Sequence, residues 1–204
     1  MSGIGILATT TYVRCMCDVC AKSRVPRRTR LDEVMTVDEL ISLLESLERT
    51  PGEKVGLSEL DHGLQCAYEL ECAHPADLEL QVAGLLHDIG HGYASDEEHG
   101  RAGGERVRSG FGDRVAAIVE GHVPAKRYLV ATDASYGEGL SEVSVTSLRL
   151  QGGPMSADEV SEFEAQPFSS DAIALRRADD RAKTPGRGVP GLDHWVPVMR
   201  QVAR

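Results

Sequence analysis

Residues 78–92 read LELQVAGLLHDIGHG, a nearly unbroken apolar run that ends in an adjacent His-Asp pair and two glycines. Leu78, Leu80, Val82, Leu85 and Leu86 predict a strongly apolar helix, and Gly90 and Gly92 let the chain turn at its end. His87 and Asp88 therefore close a helix that belongs in the core. An imidazole and a carboxylate there are costly to bury without a partner such as a metal ion. A further imidazole, His91, stands one turn later.

Helical pattern extends to both sides of this stretch. Upstream, Val37, Leu40, Leu43, Leu44 and Leu47 recur at spacings of three and four, with Thr36 as N-cap and Glu39 completing a capping box. After Gly52 a second helix covers about 57–73, with Leu57, Leu60, Leu64, Ala67, Tyr68 and Leu70 as its buried stripe and His62 among them. Downstream, helices are predicted over 97–109, 112–130, 156–166, 170–183 and 192–202. Only VSVTSLRL (143–150) alternates like a strand, and it also reads as helix. QGGPM and TPGRGVPG are loops, so the fold class is an all-α helical bundle.

With 204 residues and 41% hydrophobic content the chain can bury one full core, expected over 31–204. Residues 1–30 differ: six basic residues and one acid give a local +5, leaving −15 for the other 174. They show no periodicity and are expected to form a disordered basic extension. Cys15, Cys17 and Cys20 lie in it as C-x-C-x-x-C; a closed zinc site needs four ligands and no fourth is near, so they are expected to be free thiols. Five cysteines in all support no disulfide framework. A net charge of −10 disfavours nucleic acid and anionic membrane surfaces as partners, and with no long apolar run the expectation is a cytoplasmic protein. An anionic small substrate would need its own cluster of Lys or Arg inside a pocket.

Seven histidines occur, at 62, 74, 87, 91, 99, 122 and 194. Taken singly, each reads as an ordinary histidine. Together they are informative, because His62 rides a buried stripe while His87 and His122 end apolar helices. Metal sites in bundles are built from such inward carboxylates and imidazoles on facing helices. His74 and His194, beside Pro75 and Trp195, sit in turn-like contexts and keep the ordinary reading.

A histidine on an early helix, then His87-Asp88, then Asp179 in LRRADDRAK resembles the HD-domain superfamily. HGLQCA (62–67), GLLHDIGH, EGHVPAKRYLV, LQGGPM and the F-x-x-D-x-x-x-L-R-R-x-D-D-x-x-K stretch ending at Lys183 sharpen this. Over 36–200 the chain is similar to HD-domain mixed-valence di-iron phosphonate oxygenases of the PhnZ type, relatives of myo-inositol oxygenase. The resemblance implies an HD-domain helical bundle and two iron ions (Fe2+/Fe3+). His62, His87, Asp88 and Asp179 would ligate one iron, and Asp88 would bridge to a second held also by His99 and His122. It also implies O2 as co-substrate and a small-molecule organophosphonate bound by His91, Lys126, Ser144, Gln151, Arg176 and Glu53. Lys126 and Arg176 would be the anion clamp. The implied reaction cleaves the carbon-phosphorus bond of a 1-hydroxyalkylphosphonate, releasing phosphate and a carboxylic acid.

The chain departs from the family at RTPGEKVGLSELDH (49–62). The family carries a Y-x-G-E lid there, whose tyrosine caps the open iron and whose glutamate reads a substrate amine. Here no tyrosine precedes Gly52-Glu53, and Glu53 stands nine residues before His62, about two more than the family spacing. Either Glu53 or Glu59 reads an amine, or the substrate is differently substituted. The segment before His122 is also one residue short, which a loop near His99 would absorb. Two other readings stay open: a metal-dependent HD phosphohydrolase acting on a nucleotide or other phosphomonoester, and a non-catalytic HD ligand-binding module.

Overall fold

A computed structural model of the chain describes residues 35–52 and 55–204. The basic extension with its three cysteines lies outside the described residues, and so does Glu53. α1 (Val37–Leu47) begins at the capping box expected from sequence, with Thr36 and Glu39 exchanging bonds, and buries Leu40, Leu44 and Leu47. Ser58 and Asp61 form a second such box at the head of α2 (Glu59–Ala73). Both boxes satisfy backbone N–H groups that a helix start leaves unpaired.

α3 (Leu78–Leu86) is buried at every position from Leu80 onward. A helix apolar on all sides belongs at the centre of a bundle, and α2, α4, α8 and α9 all pack on it. A 3-10 turn, Ile89–Gly92, comes next and leads into α4 (His99–Thr132). The two helices expected at 97–109 and 112–130 follow one another within this span. It is kinked at Gly112, whose φ of 82° lies in the left-handed region that glycine tolerates.

α5 (Ala134–Glu138), a short helix capped by Asp133, is absent from the sequence expectation. The stretch that alternates like a strand is α6 (Glu142–Leu150), capped by Ser141. Among the described residues the one β-type pairing is an isolated bridge, Pro51 to Ser58. α7 (Ala157–Glu164), α8 (Ser169–Arg181) and α9 (Leu192–Val202) lie where periodicity places them. The core joins Leu64, Leu70, Leu85, Leu86, Phe111, Ile118, Leu175 and Trp195. Among the described residues no helix is long and apolar enough to cross a membrane.

Gly90 sets how closely the end of α3 and the head of α4 approach. A Cβ on it would lie 2.0 Å from the His99 carbonyl oxygen, so the turn after His87-Asp88 touches the first residue of α4 backbone to backbone. Gly90→Ala should destabilise the fold by about 1–3 kcal/mol through this overlap and push His99 away from Asp88. Metal analysis of the purified variant checks it: the expected result is bound metal reduced by about half against the wild type, with the fold retained by circular dichroism.

Candidate metal centre

Four helices deliver five ionisable side chains to a single point. His62 comes from near the start of α2, His87 and Asp88 from the end of α3, His99 from the head of α4, and Asp179 from α8. His122, a sixth, lies farther along α4. All four of these imidazoles are buried. Each has its Nδ1 against a backbone carbonyl: His62 to Ala182 (2.8 Å), His87 to Gly84 (2.8 Å), His99 to Asp96 (2.7 Å) and His122 to Val119 (2.6 Å). A carbonyl only accepts, so each Nδ1 donates its proton and each Nε2 presents a lone pair.

Those lone pairs converge. His62 Nε2 and His87 Nε2 are 3.2 Å apart, and His99 Nε2 and His122 Nε2 are 2.9 Å apart. Two acceptors at such distances repel unless a proton or a metal cation stands between them. The carboxylates complete both sets. Asp88 Oδ2 lies 3.2 Å from His87 and 3.4 Å from His62, and Asp179 Oδ1 lies 3.2 Å from His62. The other oxygen of Asp88, Oδ1, lies 3.4 Å from His99 and 3.5 Å from His122. One carboxylate thus divides itself between two donor sets.

Donor atoms of His62, His87 and Asp179 fall within 4.8 Å of one another, and so do those of Asp88, His91 and His99. His91 reaches Asp88 Oδ1 at 3.8 Å, but its ring is a quarter exposed and its Nδ1 faces the Asp96 carboxylate instead of a carbonyl. His122 is closer and better anchored, while His91 stacks on His99 at 4.0 Å between centroids and faces the cavity.

The electrostatics favour a cation. Burial works to raise Asp179, yet Arg176, Lys183 and His62 outweigh it and hold the carboxyl well below its usual range. Asp88 is held down in the same way by His87, His62 and His99 against its burial. Burial by itself would lower His62, but Asp179 and Asp88 bring it up to about 10, so positive charge is held tightly at this point. His122 is pushed well down, by burial and then by His99, and stays a neutral Lewis base. Nitrogen and oxygen donors without thiolate suit a first-row metal ion. Chelator treatment should lower the melting temperature by about 5–10 °C, since saturation at 100 times Kd adds about 2.7 kcal/mol to a protein of this size. Differential scanning calorimetry before and after metal return checks it.

A cavity of about 400 Å3 opens onto the donors, lined by His91, Lys126, Ser144, Gln151 and Arg176 together with Glu59, Ser147 and Lys183. Five of the six residues expected to touch substrate are therefore brought together, and the sixth, Glu53, lies outside the described residues. Gln151 donates from Nε2 to the Asp96 carbonyl (3.1 Å), while its Oε1 is buried without a partner among the described residues. Arg176 differs from its expected role as a clamp. Its guanidinium already binds Asp179 (2.6 Å), Asp180 and the Tyr136 hydroxyl (3.0 Å), so three of its five N–H donors are engaged and its charge is largely neutralised.

Lys183 is not among the site residues expected from sequence. Its ammonium lies 3.6 Å from Asp179 and 3.5 Å from Ser144 Oγ. A lysine four residues after a helical metal-ligand candidate lies one turn along the same face, which is the sequence signal that would have found it. Glu59 is visible by the same rule, three residues before His62. Although the segment before His122 is one residue short of the expected length, His99 Nε2 lies 2.9 Å from His122 Nε2.

A family model described as HD domain matches residues 57–182, the span from the start of α2 to the end of α8 that supplies every donor above. A hydroxymethylphosphonate dioxygenase of Gimesia maris is 38% identical over 178 residues, covering 74% of this chain and 88% of that protein. The [1-hydroxy-2-(trimethylamino)ethyl]phosphonate dioxygenase (glycine-betaine-forming) of Leisingera caerulea is 40% identical over 161 residues, covering 74% of this chain and 81% of its own length. With this donor set, this matched span and these relatives, the chain belongs to the HD-domain family and, within it, to the PhnZ-type phosphonate oxygenases.

Proposed function

We propose that this protein is a di-iron dioxygenase that cleaves the carbon-phosphorus bond of a 1-hydroxyalkylphosphonate, yielding phosphate and a carboxylic acid. The observation that carries the reading is the division of the Asp88 carboxylate between two histidine sets beside a buried cationic wall. His62, His87, Asp88 and Asp179 would hold one iron, and Asp88, His99 and His122 the other. When bound, an Fe2+/Fe3+ pair supplies the redox chemistry with O2 that no side chain here can provide.

The chain's own residues do the rest. Lys126, with Arg176 and Lys183 behind it, neutralises the phosphonate dianion, and the Ser144 and Ser147 hydroxyls on α6 fix its orientation. His91, stacked on His99, sits where a hydroxyl beside the second donor set would hydrogen-bond. Burial of the donors keeps water from competing with the substrate. The balance is one hydroxyphosphonate dianion and one O2 giving one carboxylate, one hydrogen phosphate and one proton. Anaerobic reconstitution with iron, then phosphate release from 1-hydroxyphosphonates with and without O2, tests it. One O2 should be consumed per phosphate; release without oxygen would establish a phosphatase-type hydrolysis instead.

A further inference from the structure

Arg176 lines the cavity, but the groups that fix its direction stand behind it. Asp179 accepts from Nη1 at 2.6 Å, and Asp180 accepts from Nη2 and Nε along the other edge of the guanidinium. The Tyr136 hydroxyl closes the second of these contacts into a ring. It accepts from Arg176 Nε at 3.0 Å and donates to Asp180 Oδ2 at 2.6 Å, while Nε and Oδ2 are 3.3 Å apart. Burial raises the phenol above its usual range, so its proton stays in place for Asp180. Neither Tyr136 nor Asp180 lines the cavity. A separate tether joins α5 and α8 nearby: Arg177 pairs with Asp133 at 3.4 Å and covers the Tyr136 ring at 5.9 Å from its centroid.

The ring decides which way the guanidinium can face. Nε–H and one N–H of each terminal nitrogen are committed, which leaves one N–H on Nη1 and one on Nη2 for an anion in the cavity. Without the phenol hydroxyl, Asp180 Oδ2 would lose a donor and draw Nε onto itself, turning those two N–H groups away. We infer that Tyr136 is a positioning residue: by holding Arg176 Nε and Asp180 Oδ2 through its hydroxyl, it keeps the two remaining N–H donors of Arg176 aimed at the phosphonate oxygens. This rests on the proposed oxygenase reading, which makes a phosphonate the anion, and adds to it a residue that acts from outside the cavity.

The test compares the iron-loaded full chain as wild type, Tyr136→Phe, Arg177→Ala, Arg176→Lys and the double variant Tyr136→Phe with Arg176→Lys. For hydroxymethylphosphonate, Kd is measured anaerobically and KM and kcat from phosphate release in O2; iron is measured by mass spectrometry. Tyr136→Phe should raise Kd and KM by about 10-fold, the loss expected when a hydrogen bond from a charged group is misdirected. Its kcat should stay within about 2-fold and its iron content should not change, a split that general loosening of the fold would not give. Arg177→Ala, which cuts the more exposed tether of α5 alone, should match the wild type. In the Arg176→Lys background the tyrosine substitution should add less than about 2-fold, because no guanidinium remains to be aimed. The inference is overturned if Tyr136→Phe leaves Kd and KM unchanged, if it loses iron or kcat in place of affinity, if Arg177→Ala weakens binding as much, or if its cost is undiminished in the Arg176→Lys background. Tyr136-dependent anaerobic binding without O2-dependent phosphate release would sink the oxygenase reading and leave this one standing, whereas a wild type that binds no phosphonate overturns both.

Discussion

Asp88→Asn protein is expected to purify without stoichiometric metal and to release phosphate at least about 10^3-fold more slowly than the wild type. The size comes from where the two oxygens of Asp88 point. Oδ2 lies within 3.4 Å of both His62 and His87, and Oδ1 within 3.5 Å of both His99 and His122. An amide has one weakly donating oxygen and an N–H2 group that cannot ligate, so either orientation leaves one donor set without its carboxylate. It also removes the charge that both sets share. Replacing Asp179 should affect one ion only, because its carboxylate approaches His62 and His87 and no other imidazole in the cluster. Metal content by mass spectrometry separates the outcomes. If Asp88→Asn kept two ions per chain, a bridging role for this residue would be excluded.

Lys126→Met should raise KM for a phosphonate by about 10^2-fold or more, the largest effect among the pocket cations. Arg176 and Lys183 are already faced by Asp179, and Arg176 also by Asp180. Lys126 is 4% exposed and donates to the neutral Ser147 hydroxyl at 2.8 Å. Its charge is the one most in need of an anion. Burial, then the positive charge of Arg176, lowers this lysine to about 8. The sign is direct: below about pH 8 the ammonium is charged and attracts the dianion, and above it the amine is neutral and the attraction is lost. The kcat/KM profile, which reports the free enzyme, should therefore fall on its alkaline side from about pH 8. In Lys126→Arg, whose side chain stays charged, this limb should move out of the accessible range even where the rate itself is reduced. An alkaline limb unmoved in that variant would assign it to another group.

Much of this candidate centre is legible in the chain because its donor residues are announced by local pattern. LELQVAGLLHDIGHG names a helix too apolar to be anything but central, and that places His87 and Asp88 in the core before any coordinates. The capping boxes at Thr36 and Ser58 fix the starts of α1 and α2 by short-range bonding alone, although only the first stands out in the sequence. What cannot be read locally depends on contacts between distant segments. Arg176 reads as a free clamp because nothing nearby announces that Tyr136, forty residues earlier on an unforeseen short helix, shares its guanidinium with Asp180. α6 is ambiguous for a related reason. Its buried residues are Ser144 and Leu148, so it shows too little apolar periodicity to distinguish helix from strand.

The carbonyl anchors of the histidines divide by range. His87, His99 and His122 each take their anchor from three residues back along the chain, so their ring orientations are set within one helical turn. His62 alone is tethered at long range, to Ala182, 120 residues away. One half of the centre is thus assembled within residues 84–122, while the other exists only when the far end of α8 has docked on α2. Two ions held as proposed would then report two separate steps in unfolding: loosening the C-terminal third should free an ion at His62 and Asp179 first, and an ion between His99 and His122 should leave only when the central helices open.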